Sequence, residues 1–311
     1  MTTSSLLQTP PSRLTLGTVQ FGLNYGVANQ TGKPSFEKVC SILRHAFDGG
    51  VDTLDTAADY GDSEEVLGKA LKHLGLSGKM RVVTKVGALP VDLTPAEAAA
   101  RIEASIVKSI RLLGLERLEL CLFHRQENLI YAEQILALQQ RGLIAAAGVS
   151  IVNPEGARNA LALPGLKAIQ MPSNLLDRRF THSGLTEAAR KAGTIVFVRS
   201  TYLQGLLLMD DAKVPAHLQE VIAVRRPLRA IAEKAGLPFG EMALRAMLSR
   251  PDISALVVGV DTVEHLEANL ALFAKGPLSA DIFAAINATA VNPSPFLINP
   301  SEWDKVVPPR G

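Results

Sequence analysis

Val51-Asp52-Thr53-Leu54-Asp55 is a short run of strand character that closes on a carboxylate, with Tyr60 just beyond it. The pattern returns in Arg81-Val82-Val83-Thr84-Lys85 and in Leu118-Glu119-Leu120-Cys121-Leu122-Phe123-His124. Apolar and β-branched runs of this length read as buried strands. Each of the three leads into a group that can carry or move a proton. A parallel α/β barrel builds its active site from polar groups at the C-terminal ends of successive strands. Asp55, Tyr60, Lys85 and His124 are therefore the candidate catalytic residues, and an enzyme is the first expectation.

Outward from these runs the chain keeps one rhythm. Strands are expected at 14–18, 51–54, 82–85, 118–123, 145–149, 168–171, 195–198 and 255–258. Helical periodicity lies between them at 36–48, 64–73, 95–113, 132–141, 154–161, 185–191 and 228–235, and 263–273 follows the last strand. Alternation of this kind predicts an α/β protein, a single (β/α)8 TIM barrel over residues 14–274. Local signals agree. Gly50, Gly142, Gly165 and Gly193 stand where helices should end in the left-handed conformation. Thr94-Pro95 reads as an N-cap followed by proline at the first helical position. Residues 1–13 are expected to be a flexible extension. Residues 275–311 form a Pro-rich C-terminal extension, expected to strap the barrel and reach its mouth, with a short helix near 280–288 and Trp303 as anchor.

Composition narrows the function. The 311 residues are 47% hydrophobic and 20% charged, an ordinary globular balance. A formal charge of +2 without a long basic run argues against nucleic acid or an anionic membrane as partner. No signal peptide is legible in residues 1–13, and no stretch approaches the roughly 20 apolar residues of a membrane span. Cys40 and Cys121 lack metal-like spacing and read as buried free thiols in a reducing cytoplasm.

The four polar residues suit proton transfer at an oxygen. An isolated phenol, with a pKa of about 10, is a poor acid or base without help. A cationic Lys85 beside Tyr60 would favour the phenolate, and Asp55 would hold that ammonium in place. His124 can donate from a ring nitrogen to a carbonyl oxygen and so orient a substrate.

With their flanks, these residues resemble the aldo-keto reductases. The resemblance is carried by Leu16-Gly17-Thr18-Val19-Gln20-Phe21-Gly22, by Gly50-Val51-Asp52-Thr53-Leu54-Asp55-Thr56-Ala57-Ala58-Asp59-Tyr60-Gly61, and by Val83-Thr84-Lys85. Phe123-His124-Arg125, Gly148-Val149-Ser150 and Gln170-Met171-Pro172-Ser173-Asn174 extend it, so that it covers about 14–272. It implies a barrel that binds NAD(P)H in extended form without a Rossmann domain, and the chain has no Gly-x-Gly-x-x-Gly loop after its first strand. Cofactor contacts implied by the resemblance fall on Gly17, Thr18, Asp55, Ser150 and Gln170, then on Arg199, Ser200, Leu203, Gln204 and Gly205. A last group is Gly259, Val260, Asp261, Thr262, His265 and Asn269. Three positions depart from the family pattern. Arg199 replaces a stacking aromatic, Val257-Val258-Gly259 replaces Ile-Pro-Gly, and Ala268 replaces a glutamate.

The expected function is an NAD(P)-dependent oxidoreductase that interconverts a carbonyl (aldehyde, ketone or aldose) and an alcohol, with Tyr60 as general acid and base. The alternative is a dinucleotide-binding redox sensor that acts through a protein partner. Between the cofactors NAD(H) is favoured, because the Asp261 carboxylate would repel a 2′-phosphate and can accept hydrogen bonds from ribose hydroxyls. The competing reading of Asp261 is a helix cap.

Overall fold

The computed structural model describes residues 6–26 and 32–305. Eight strands close into a parallel barrel in sequence order: β1 (Leu14–Gly17), β2 (Thr53–Asp55), β3 (Arg81–Val86), β4 (Leu120–Phe123), β5 (Ala147–Ser150), β6 (Leu166–Pro172), β7 (Ile195–Arg199) and β8 (Ala255–Gly259). β8 returns to pair with β1, with Gly17 opposite Gly259. The helices are α1 (Val19–Gly22), α2 (Phe36–Asp48), α3 (Ser63–His73), α4 (Pro95–Leu113), α5 (Ala132–Gln140), α6 (Pro154–Ala162), α7 (Leu185–Lys191), α8 (Glu220–Lys234), α9 (Phe239–Leu248), α10 (Val263–Ala274) and α11 (Ala280–Ala288).

Alternation along the strands divides the core in two. One face of each strand packs outward against the helices. The other fills the barrel, where Val83, Leu120, Leu122, Ala146, Ala168, Phe197 and Ala255 form one apolar cluster. At Gly148 the barrel tolerates no side chain, since a Cβ there would lie 2.3 Å from the Ala168 carbonyl oxygen. Two residues further along the same inward face come the polar groups: Lys85 after Val83, His124 after Leu122, Gln170 after Ala168 and Arg199 after Phe197. A period of two therefore carries each strand from packing into chemistry.

The opposite end of the barrel is closed. Over residues 6–13 the expected flexible extension is instead a packed segment, because its side chain and backbone groups find partners under the barrel. Leu6 is 3% exposed and joins the interior cluster. Arg81 donates to the carbonyl oxygens of Thr9 and Pro10, and Ser12 N donates to Asp52. Residues 1–5 lie outside the described part.

Several boundaries differ from the sequence expectation. β2 begins at Thr53 rather than Val51, and β4 at Leu120, with Leu118 reduced to an isolated bridge to Ile144. α8 begins at Glu220, eight residues before the expected 228, and runs through Pro227. α9 adds a second helix before β8. The capping signals hold: Thr94 and Glu97 form a reciprocal capping box, and Gly50, Gly142, Gly165 and Gly193 all have positive φ. After α11, Arg178 donates to the Ile286 and Thr289 carbonyl oxygens, and Trp303, 2% exposed, donates to Phe296 O.

Candidate active site

Lys85 anchors the mouth. Its Nζ donates to both oxygens of Asp55, at 2.9 and 2.8 Å, and to the Thr56 carbonyl oxygen at 2.8 Å. Gln170 Nε2 donates to Asp55 Oδ1 at 2.7 Å. The lysine is 1% exposed and the aspartate 3%, so this is an ion pair withdrawn from water. Burial works against the ammonium, but Asp55 and then Tyr60 outweigh it and push the lysine pKa above its ordinary value.

Tyr60 is brought over this pair by the loop after β2. Tyr60 N donates to Ala57 O at 3.1 Å, and Ser63 N donates to Tyr60 O at 3.0 Å. α1 presses against the same loop so closely that a Cβ on Gly22 would lie 1.9 Å from the Tyr60 carbonyl oxygen. Beneath it, Ser63 Oγ donates to Thr18 O at 2.8 Å and shares hydrogen bonds with Thr18 Oγ1 and Thr56 Oγ1. Lys85 Nζ sits 5.0 Å from the centre of the Tyr60 ring.

His124 completes the group. Its ring meets that of Tyr60 edge-on, with centroids 5.5 Å apart and planes at 82°. Burial and the Lys85 charge push its pKa down to about 4, partly opposed by Asp59, so the ring is neutral at physiological pH. Asp59 Oδ2 lies 3.1 Å from His124 Nδ1 and accepts from Ala88 N at 3.0 Å. The structure thus brings Asp55, Tyr60, Lys85 and His124 together, with Asp59 as a neighbour that the sequence reading left unused.

From Asp55 and Tyr60 a cleft of about 510 Å³ runs out between the ends of β1, β7 and β8. Eleven expected contacts line it: Gly17, Thr18, Asp55, Arg199, Ser200, Gln204, Gly205, Gly259, Asp261, His265 and Asn269. Five others do not. Ser150 and Gln170 are buried at the ends of β5 and β6, and Leu203 and Val260 turn into the hydrophobic core. Thr262 caps α10, its hydroxyl accepting from His265 N at 3.2 Å. The cap is therefore Thr262, not Asp261.

Thr201 and Tyr202, in the loop after β7 that the resemblance assigns to the cofactor, line the same walls, and sequence reasoning missed Gln20 and Glu241 there. Four buried acceptors at the mouth have no partner among the described residues: Gln20 Oε1, Thr201 Oγ1, Asp261 Oδ1 and Gln170 Oε1. Burial raises the Asp261 pKa, with His265 pulling the other way. The loop after β7 is unusual in its backbone. Ser200, Leu203 and Gln204 adopt positive φ (64°, 49° and 55°), each costing about 1–2 kcal/mol for a residue with a Cβ. Arg225, fully buried in α8, holds this loop by donating to the carbonyl oxygens of Leu206, Leu207 and Met209, and it pairs with Asp211. Backbone strain at such a place commonly accompanies ligand binding. No periodic signal marks these residues in the sequence. No cluster of metal-ligating side chains occurs among the described residues.

The aldo/keto reductase family profile matches residues 13–290. An L-glyceraldehyde 3-phosphate reductase of Escherichia coli is 28% identical over 302 residues, covering 83% of this chain and 84% of its own length. An aldo-keto reductase of Bacillus subtilis is 31% identical over 205 residues, 63% of this chain and 60% of its own. Among solved structures, the holo form of an aldo-keto reductase from Bacillus halodurans superposes with a TM-score of 0.74 at 24% identity, covering 91% of this chain and 95% of that one. At that identity the superposition establishes the fold.

Proposed function

This chain belongs to the aldo/keto reductase family and is an oxidoreductase; from that premise we propose that it interconverts a carbonyl and an alcohol with a nicotinamide cofactor, with Tyr60 as its acid–base residue. The observation that carries the reading is the setting of Tyr60, with the Lys85 ammonium 5.0 Å from the centre of its ring and the His124 ring meeting it edge-on at 5.5 Å.

In reduction the Tyr60 hydroxyl gives its proton to the carbonyl oxygen; in oxidation the phenolate takes it from the alcohol. The Lys85 ammonium stabilises that phenolate, and Asp55 with Thr56 O fixes the ammonium where it can. His124 flanks the same oxygen and orients the substrate. A bound nicotinamide would supply or accept the hydride. The cleft suits such a group: Gln20 Oε1, Thr201 Oγ1 and Asp261 Oδ1 on its walls have no partner among the described residues and await donors. Two like unit charges about 4 Å apart repel by about 4 kcal/mol at an effective dielectric of about 20. Asp261 on the cleft wall therefore favours NAD(H), whose ribose offers hydroxyls where NADP(H) carries a phosphate.

The Escherichia coli relative makes small hydroxylated aldehydes the first substrates to try. The buried free thiols Cys40 and Cys121 support a reducing, cytoplasmic setting, and no described helix is long and apolar enough to cross a membrane. A cofactor-saturated turnover screen of carbonyls and alcohols, run in both directions beside Tyr60→Phe, tests the reading. Turnover that depends on Tyr60 supports it. Tight cofactor binding with no turnover on any compound would replace it with the sensing role.

A further inference from the structure

Arg81, Arg179, Arg225, Arg245 and Arg250 each meet a carboxylate. Arg199 does not. It is half-buried on the wall of the cleft. Its one side-chain hydrogen bond among the described residues is long, from Nη2 to the Ile151 carbonyl oxygen at 3.4 Å. That bond fixes its direction. Arg199 lies opposite Pro172 of β6, and its side chain passes over that strand to the residue after β5. It therefore crosses the inner rim of the mouth instead of pointing out toward Asp261 and His265 beside α10. It shares the cleft wall with Asp55 and Tyr60. The other cation there, Lys85, is matched by Asp55, and Asp59 is engaged by His124 and Ala88. Arg199 thus brings an uncompensated positive charge to the reacting end of the cleft.

We propose that Arg199 sets the preference of the site between the two redox forms of the nicotinamide cofactor, favouring the reduced form. The proposal rests on the reading that a nicotinamide works beside Tyr60. A ring that exchanges a hydride with a carbon whose oxygen meets Tyr60 must lie at that end of the cleft, between the ends of β1 and β7. The reduced ring is neutral and the oxidised ring carries a positive charge, while both forms carry the same pyrophosphate. A guanidinium beside the ring therefore repels one form only. In a cleft partly shielded from water that repulsion is stronger than in bulk solvent. The overall equilibrium between carbonyl and alcohol is untouched. What changes is occupancy: the site fills with the reduced cofactor, sheds the oxidised one and is little inhibited by it, which suits it to reduction.

Dissociation constants of NADH and NAD⁺, measured by titration calorimetry on the intact protein without substrate, test the proposal. Arg199→Met should lower the ratio of the NAD⁺ constant to the NADH constant by about tenfold, the equivalent of about 1.4 kcal/mol. In the potential of the bound two-electron couple this is a change of about 30 mV. Arg199→Lys, which keeps the charge, should retain most of the wild-type ratio. Loss of a single 3.4 Å hydrogen bond should leave the fold intact; should the methionine variant not fold, Arg199→Gln makes the same comparison. A ratio unchanged in the neutral variant overturns the proposal, and so does a shift the other way. Both constants rising together would mean that the guanidinium serves the pyrophosphate, which also overturns it. An insensitive ratio in a protein that binds cofactor and turns over through Tyr60 sinks this proposal alone. Binding of neither redox form, with or without the 2′-phosphate, would sink the nicotinamide reading along with it.

Discussion

The two ends of the barrel are built by the same strands and do opposite things with their inward side chains. On β3, Val83 packs into the apolar cluster and Lys85, two residues on, meets Asp55 and Tyr60. On β4, Leu122 belongs to the cluster and His124 follows it to the mouth. At the closed end, Leu6 seals the interior and Arg81 ties down the backbone of Thr9 and Pro10. At the open end, polar atoms along a cleft have no partner among the described residues. The difference teaches where stability and chemistry reside: two residues of strand separate a position whose loss should loosen the fold from one whose loss should stop turnover.

Substitutions can break that comparison. Tyr60→Phe should lower turnover by about 10²–10⁴, equivalent to about 3–5 kcal/mol of barrier, with an unchanged urea midpoint and unchanged cofactor affinity. A large drop in stability in that variant would erase the contrast. Leu6→Ala at the other end should do the reverse. It should lose stability toward the lower end of about 2–5 kcal/mol, since a segment near the terminus can relax into the gap, and keep its turnover per folded molecule. Reduced turnover at full folding would join the two ends functionally.

Two smaller effects sharpen the open end. NMR titration of His124 should give a midpoint near 4 rather than 6.5, because burial and Lys85 both disfavour the charged ring. The ring is then neutral throughout the range of about pH 5–8 in which free histidines titrate, and it contributes no inflection there to the pH profile. A midpoint near 6.5 would mean that the mouth is wetter than its packing implies. Asp261→Asn should move the ratio of NADPH to NADH dissociation constants about tenfold toward NADPH, a change of about 1.4 kcal/mol. Tighter NADPH binding in the unaltered protein would show that the carboxylate does not face the 2′ position.

The polar group at the barrel mouth was legible in the sequence because strands impose a period of two and end on these residues. Lys85 and His124 follow their packed neighbours by two, and Asp55 closes β2. Glycines at helix ends were legible because left-handed backbone strongly favours glycine. The cleft was legible only in part. Leu203 and Val260 lie in segments without a repeating face, and tertiary packing turned both inward. Pro227 reads as a helix stop, yet α8 runs through it and carries Arg225, which pins the strained loop. Asp59 was passed over because its place depends on Ala88 and His124, from two other strand ends, meeting at one oxygen.

The central claim, that the open end moves a hydride under the control of Tyr60, is tested most directly by isotope transfer. Reduced nicotinamide carrying deuterium at the reactive C4 position is supplied at saturation with a carbonyl that the protein reduces, and transfer is followed in a single turnover in the wild type and in Tyr60→Phe. The account predicts deuterium on the carbinol carbon of the product, with a transfer rate about 10²–10⁴ lower in the variant at equal cofactor occupancy. Product without cofactor-derived deuterium, or transfer in Tyr60→Phe at the wild-type rate, would contradict it.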